Sequence, residues 1–327
     1  MGSRGMTRST LRATALVALV VALASCGSGS DVDLDDDAAW RTSTAPVETA
    51  GLSWAVGATV HLSDGITVDA GEPIREFVVA GDGVFFVPEG EDEALFEEPL
   101  WFVAPDGEPE DTGLEVTRDH LATSPDGRYL TVLDTDTDEG SAVMRIFDLD
   151  TGEAIESEDG MDTSGIDDPV NRLLEMEVDL LGIDDAQLTA RVIEGEFVYD
   201  LATGEGTETD DVEPADPLVS PDGAWRIDKS TPLREVLVSE TGEEVVPDAG
   251  ARRWGLTSWI DDTTVVGAAI DGPGTGGQVG PDNSLAMMTC TVPDGACTTV
   301  EGTRGQRVLL PYGTRGSTGF NLTTPEG

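Results

Sequence analysis

A four-residue turn that returns along the chain constrains this sequence more than any other feature. It reads Ser124-Pro125-Asp126-Gly127 and again Ser220-Pro221-Asp222-Gly223, with a relative at Ala104-Pro105-Asp106-Gly107 and a shorter form at Pro293-Asp294-Gly295. Proline presets φ at the first corner, Asp bonds back to the main chain, and Gly takes the position at φ > 0, so each copy closes a hairpin between two strands. A chain punctuated in this way is expected to be all-β.

Aligning the copies gives two turns per unit. The first turns fall at Gly81-Asp82-Gly83, 124–127, Gly182-Ile183-Asp184-Asp185, 220–223 and Trp259-Ile260-Asp261-Asp262, each followed by an apolar strand such as Val84 to Val87 or Tyr129 to Leu133. The second-turn glycines, Gly65, Gly107, Gly152, Gly204, Gly242 and Gly295, lie 42, 45, 52, 38 and 53 residues apart. A period in the forties with four short strands per unit is the pattern of propeller blades. The expectation is a six-bladed β-propeller of four-stranded antiparallel blades. Seven blades follow if the stretch 155–188 is split, where 172–181 could instead form a helical turn. The first unit, 54–68, is short of a full blade, and Val308-Leu309-Leu310 belongs to no other unit. The C-terminal strand is therefore expected to complete the first blade and close the ring.

Two stretches carry a resemblance. Ser124-Pro125-Asp126-Gly127-Arg128-Tyr129-Leu130 with Ile146-Phe147-Asp148-Leu149-Asp150-Thr151-Gly152 resembles the repeat of TolB-like and WD40-like β-propellers, and Tyr199-Asp200-Leu201-Ala202-Thr203-Gly204-Glu205 is a second copy of its latter half. The likeness spans roughly residues 52–312. It implies architecture and no particular chemistry, because such propellers include scaffolds, binding proteins and some enzymes. The Gly-His and Trp-Asp dipeptides of standard WD40 repeats are absent.

The N-terminus reads as a targeting segment. Arg4, Arg8 and Arg12 precede a small-apolar run from Ala13 to Ala24, too short for a permanent membrane span. Its end, Leu23-Ala24-Ser25-Cys26, resembles the lipobox of bacterial lipoproteins, which implies diacylglycerol on Cys26 and cleavage just before it. The expected organisation is a signal peptide over 1–25, an acidic disordered tether over 26–50 rich in Gly, Ser, Thr and Asp, a propeller over 51–315 and a flexible tail over 316–327. The expected location is the extracytoplasmic face of a cell membrane, held by the lipid alone. With Lys229 the only lysine among 18 basic residues, the coding sequence reads as GC-rich, as in actinobacteria.

Charge narrows the partners. The chain carries 65 acidic and 18 basic side chains, formally −47, and loss of 1–25 with three arginines takes this to −50. Such a surface repels nucleic-acid phosphates, which excludes that class of partner.

Few residues point to chemistry. Cys290 and Cys297 flank the last turn and should bond to each other in an oxidising space, stabilising the hairpin by about 2–3 kcal/mol on the chain-entropy model. Asp134, Asp136 and Asp138 space oxygens on alternate residues as a calcium loop does, but Glu139 stands where that loop has glycine and Arg145 where it has its bidentate Glu. An acidic connection between strands is the competing reading, so calcium is kept only as an option and no other cofactor is expected. His61 lies inside one strand and His120 just before another. There is no Gly-x-Ser-x-Gly elbow, metal-spaced histidine pair or phosphate loop.

The function these features suggest is non-enzymatic: a monomeric, lipid-anchored propeller acting as a scaffold or as an accessory or sensory subunit, docking an envelope protein or a cell-wall component. The alternative is a propeller hydrolase or binding protein for wall glycans or peptides.

Overall fold

The computed structural model describes residues 38–90, 97–117, 120–136, 141–164, 178–210, 216–273, 279–280, 282–312 and 319–323. Cys26 and Asp138 lie outside them, as does the side chain of Asp136. A compact unit spans Leu34–Gly327.

The described residues are all-β apart from one 3-10 turn, Ala39–Arg41. Sheet 1 begins with β1 (Trp54–Val56), β2 (Thr59–His61) and β3 (Thr67–Asp69). Sheet 2 is β4 (Ile74–Ala80), β5 (Gly83–Pro88), β6 (Glu97–Val103) and β7 (Glu110–Thr117). Sheet 3 is β8 (Leu121–Thr123), β9 (Tyr129–Asp136), β10 (Ser141–Asp148) and β11 (Glu153–Ser157). Sheet 4 is β12 (Asp179–Ile183), β13 (Gln187–Val192), β14 (Gly195–Asp200) and β15 (Gly206–Glu208). Sheet 5 is β16 (Trp225–Asp228), β17 (Val236–Ser239) and β18 (Glu244–Val245). Sheet 6 is β19 (Arg253–Trp259), β20 (Thr264–Asp271), β21 (Ser284–Thr291) and β22 (Cys297–Thr299). The chain then returns to sheet 1 with β23 (Arg307–Leu309) and β24 (Gly319–Asn321), giving the order β24-β23-β1-β2-β3, with Leu309 opposite Ala55.

Each sheet is antiparallel, and sheets 2 to 6 run up and down in chain order. Among the described residues sheet 5 has three strands, with a lone bridge between Val219 and Arg226 where sheets 2, 3, 4 and 6 have their first strand. Pro217 and Pro221 flank that bridge and have no N–H to extend a ladder. Burial alternates with period two on β7 and β13, while β5 is buried along five consecutive residues.

The apolar core lies between successive sheets. Separate clusters join sheets 1 and 2, sheets 2 and 3, and sheets 3 and 4; another joins sheets 5 and 6. A fifth brings Val266 and Met287 of sheet 6 against Trp54 and Val308 of sheet 1.

Two expectations are corrected. Residues 38–50, placed by composition in the disordered tether, are packed: Trp40 is only 3% exposed and meets Phe85 and Phe147 edge-on at 5.8 and 5.3 Å, inside the cluster of sheets 2 and 3. Its indole brings more apolar surface than the surrounding polar residues bring solubility. Residues 319–323, placed in the flexible tail, are also ordered. There β24 pairs with β23 and Leu322 is buried in the cluster of sheets 6 and 1.

Candidate functional site

In an up-and-down sheet the first and second turns emerge at the same end. That end is the turn face here, and the local residues determine its shape. In Ser124–Gly127, Asp126 Oδ1 accepts bonds from Ser124 Oγ at 2.5 Å and Arg128 N at 3.0 Å, and Gly127 takes φ +72°. The copy at Ser220–Gly223 repeats this, with Asp222 Oδ1 accepting from Ser220 Oγ at 2.7 Å and Ala224 N at 2.9 Å, and Gly223 at φ +74°. Each aspartate thus spends one oxygen on its own turn. Its carboxyl is held low by the serine hydroxyl bond in the case of Asp222.

Residues 42–50 form a strap across this face. Asp82, in the first turn of sheet 2, accepts the hydroxyl of Ser43, the amide of Thr44 at 2.8–2.9 Å, the hydroxyl of Thr44 at 3.0 Å and the amide of Ala45 at 2.7 Å. Ser43 N donates to Leu149 O at 2.6 Å and Val47 N to Gly81 O at 2.9 Å. Thr49 Oγ1 donates to Pro125 O at 2.7 Å. The strap rests on glycine: a Cβ on Gly127 would lie 2.6 Å from the Thr49 methyl, and one on Gly152 2.5 Å from the Thr42 hydroxyl. These two turn glycines therefore do more than permit φ > 0.

Beside the strap lies an open depression of about 1140 Å³. Its walls include residues 45–50 and five aspartates from five turns: Asp64, Asp82, Asp106, Asp126 and Asp185. Ile66, 41% exposed, contributes apolar surface. Among the described residues, no Lys, Arg or His lines it. Chemically this is a shallow acidic surface able to receive positive charge. Among the described residues, no group of three or more His, Cys, Asp or Glu side chains converges as a metal site requires.

The residues singled out by sequence are dispersed. A disulfide joins Cys290 and Cys297, which face each other in the β21–β22 pair. The hairpin tip it closes docks on the neighbouring sheet, where Asp248 N donates to Gly295 O at 2.8 Å. Asp134 and Asp136 stand in strand β9 instead of a free loop, and the Asp134 carboxylate pairs with Arg145 at 3.1 Å. Arg145 also lies 3.5 Å from Glu156, so a cation at Asp134 would compete with a guanidinium already in place. His61 stacks on Trp54 at 3.8 Å, and burial lowers its pKa. His120 bonds through Nε2 to Val178 O at 3.0 Å, bridging sheets 3 and 4. The strap and the acidic depression escaped sequence reasoning, although a lone Trp40 in a polar stretch was a usable signal.

No protein-family model matches the chain, and no curated protein matches it in sequence. Solved structures similar to it include a β-propeller domain and two TolB proteins. The β-propeller domain of the Trilobed protease from Pyrococcus furiosus is 10% identical, with 71% of this chain and 84% of that chain covered and a TM-score of 0.33. TolB from Acinetobacter baumannii is 12% identical over 77% of this chain and 66% of its own, with a TM-score of 0.37. The putative TolB from Agrobacterium tumefaciens is 14% identical over 75% of this chain and 84% of its own, with a TM-score of 0.35.

Proposed function

We propose that the six sheets are blades of one propeller, closed by β23 and β24 on the first sheet, and that this propeller is a lipid-anchored, non-enzymatic docking subunit on the extracytoplasmic face of a bacterial membrane. The pairing of β23 with β1 and the apolar cluster between sheets 6 and 1 support the ring. The arginines and apolar run ahead of Cys26 support the anchor.

The observation that carries the docking role is the depression on the turn face. Five aspartates from four sheets and Glu48 of the strap line it with no basic side chain among the described lining residues, on a chain of formal charge −47. Opposed charge steers encounter and excludes acidic partners, while loops on a stiff scaffold hold the surface in shape. The fitting partner is a basic surface of another envelope protein.

Crosslinking the anchored protein in native membranes, with the captured species identified by mass spectrometry, tests this. One recurrent basic protein is expected. Its yield should fall as ionic strength rises from about 0.05 to about 0.5 M, because the screening length shrinks from above 10 Å to a few Å. Asp64→Asn, Asp106→Asn and Asp126→Asn together should lower the yield at low salt. Asp82 is left out because it holds the strap. Capture indifferent to both salt and the three substitutions would sink the docking role, and recovery of wall fragments alone would replace it with glycan or peptide binding. The intact mass of detergent-extracted protein reads the anchor separately, as a chain beginning at Cys26 and carrying diacylglycerol.

A further inference from the structure

The strap seat has a second copy. Two places among the described residues combine a Ser-Pro-Asp-Gly first turn with a glycine in the second turn of the same sheet: Gly127 and Gly152 on sheet 3, and Gly223 and Gly242 on sheet 5. All four glycines have φ between +72° and +84°. On sheet 3 the pair is covered by Thr49 and Thr42, and Gly127 is buried. On sheet 5 nothing among the described residues lies within 4 Å of where a Cβ would stand on either glycine, and both residues are exposed.

The other sheets show why this pairing is particular. The second-turn glycine of sheet 4, Gly204, is covered by Ile155 of sheet 3, and that of sheet 6, Gly295, by Val245 of sheet 5. The first turns of sheets 4 and 6 carry Asp185 and Asp262 where sheets 3 and 5 carry glycine. The surroundings of the open pair also differ from those of the rest. Sheets 4 and 5 are the one successive pair that shares no apolar cluster among the described residues. Sheet 4 precedes sheet 5 as sheet 2 precedes sheet 3, and its first turn likewise carries carboxylates, Asp184 and Asp185. Pro221, exposed, occupies the place of Pro125, whose carbonyl receives the Thr49 hydroxyl.

We propose that the turn pair of sheet 5 is an open copy of the strap seat and receives an extended segment of a partner protein, with a threonine or serine over each glycine, seven residues apart as Thr42 and Thr49 are. The occupied copy defines the ligand chemistry: a chain in extended form, small β-hydroxy side chains flat on the glycine Cα atoms, and one hydroxyl donating to the proline carbonyl. The inference does not rest on capture by the acidic depression, since the strap between Trp40 and Ala50 carries one Arg and one Glu and so no net charge.

The test uses the full chain and a synthetic peptide with the sequence of residues 40–50, bearing a photo-crosslinker in place of its valine. Crosslinks are expected at 221–223 and 240–243. Gly223→Asn with Gly242→Asn adds side chains to both positions in a residue type that tolerates φ > 0, and should weaken peptide binding at least tenfold at an unchanged thermal midpoint. Gly223→Ser alone, a smaller intrusion, should weaken it less and keeps the reading if the double variant unfolds. Crosslinks confined to 125–127 and 150–152 would mean exchange with the chain's own strap and would overturn the proposal. So would binding that survives both variants, or no crosslink at millimolar peptide.

Discussion

Asp82 joins two distant parts of the chain through a single carboxylate, and the balance of forces on it is measurable. Burial works to raise its pKa, yet the bonds from Ser43, Thr44 and Ala45 outweigh burial and leave the carboxyl below its ordinary range. The sign of the linkage follows. In the unfolded chain the group titrates at the ordinary aspartate value, and in the folded protein lower, so its stabilisation is complete above the unfolded value and is lost as pH falls through the folded one. The amide shifts of Thr44 and Ala45 should therefore titrate with a midpoint below the ordinary aspartate value, as NMR can follow. A midpoint at or above the ordinary value would contradict the strap geometry. Asp82→Ala removes the acceptor altogether. Its bonds are partly solvent-exposed, so a loss of about 1–2 kcal/mol is expected, read as an increase of about five- to thirtyfold in hydrogen exchange at Ala45 with little change at the centre of β5.

At the scale of elements the strap can be weighed because the chain supplies its own control. Gly127→Ala and Gly223→Ala make the same change in the same turn at nearly the same φ, so the backbone cost of about 1–2 kcal/mol is common to both. Only Gly127 has Thr49 against it, at 2.6 Å from the new methyl. The first substitution should cost about 1–3 kcal/mol more than the second in urea unfolding, the usual range for overpacking. Equal costs would mean that the strap lifts away freely. The same contrast explains what sequence could reveal. The turns of 124–127 and 220–223 were legible because Asp126 and Asp222 bond within two residues of themselves, and propensity records such local chemistry. The two halves of the β23–β1 pair were legible as an unclaimed apolar strand and an incomplete unit. The strap was not: Trp40 finds Phe85 and Phe147, and Ser43 to Ala45 find Asp82, at separations that composition does not encode. The acidic depression was hidden for a related reason. Its five aspartates come from turns that look alike in sequence, and only the packing of sheets brings Asp64 and Asp185 to one surface.

At the scale of the whole molecule, the apolar clusters among the described residues are unevenly distributed. Sheet 4 gives Leu188, Ala190, Val192, Phe197 and Tyr199 to the cluster it shares with sheet 3. The alternate residues of the same strands, Thr189, Arg191, Glu196 and Val198, are half-buried, and Arg191 pairs with Glu196 at 2.9 Å. Sheet 5 likewise commits Ile227, Leu237 and Val245 to sheet 6. An ion pair at that degree of exposure contributes little, about 0–1 kcal/mol, whereas each fully buried Leu or Val contributes about 1.5–3 kcal/mol. The junction between sheets 4 and 5 should consequently open before the others. Hydrogen exchange in mild denaturant resolves this, because opening at one junction exposes the flanking strands together while the remaining sheets stay protected. Amides of β15 and β16 should exchange at lower denaturant than those of β9 and β10, whose cluster is closed on both sides. Uniform protection across all six sheets would show that the polar junction is held as firmly as the apolar ones, and a partner segment seated on Gly223 and Gly242 would then have no weak junction to brace.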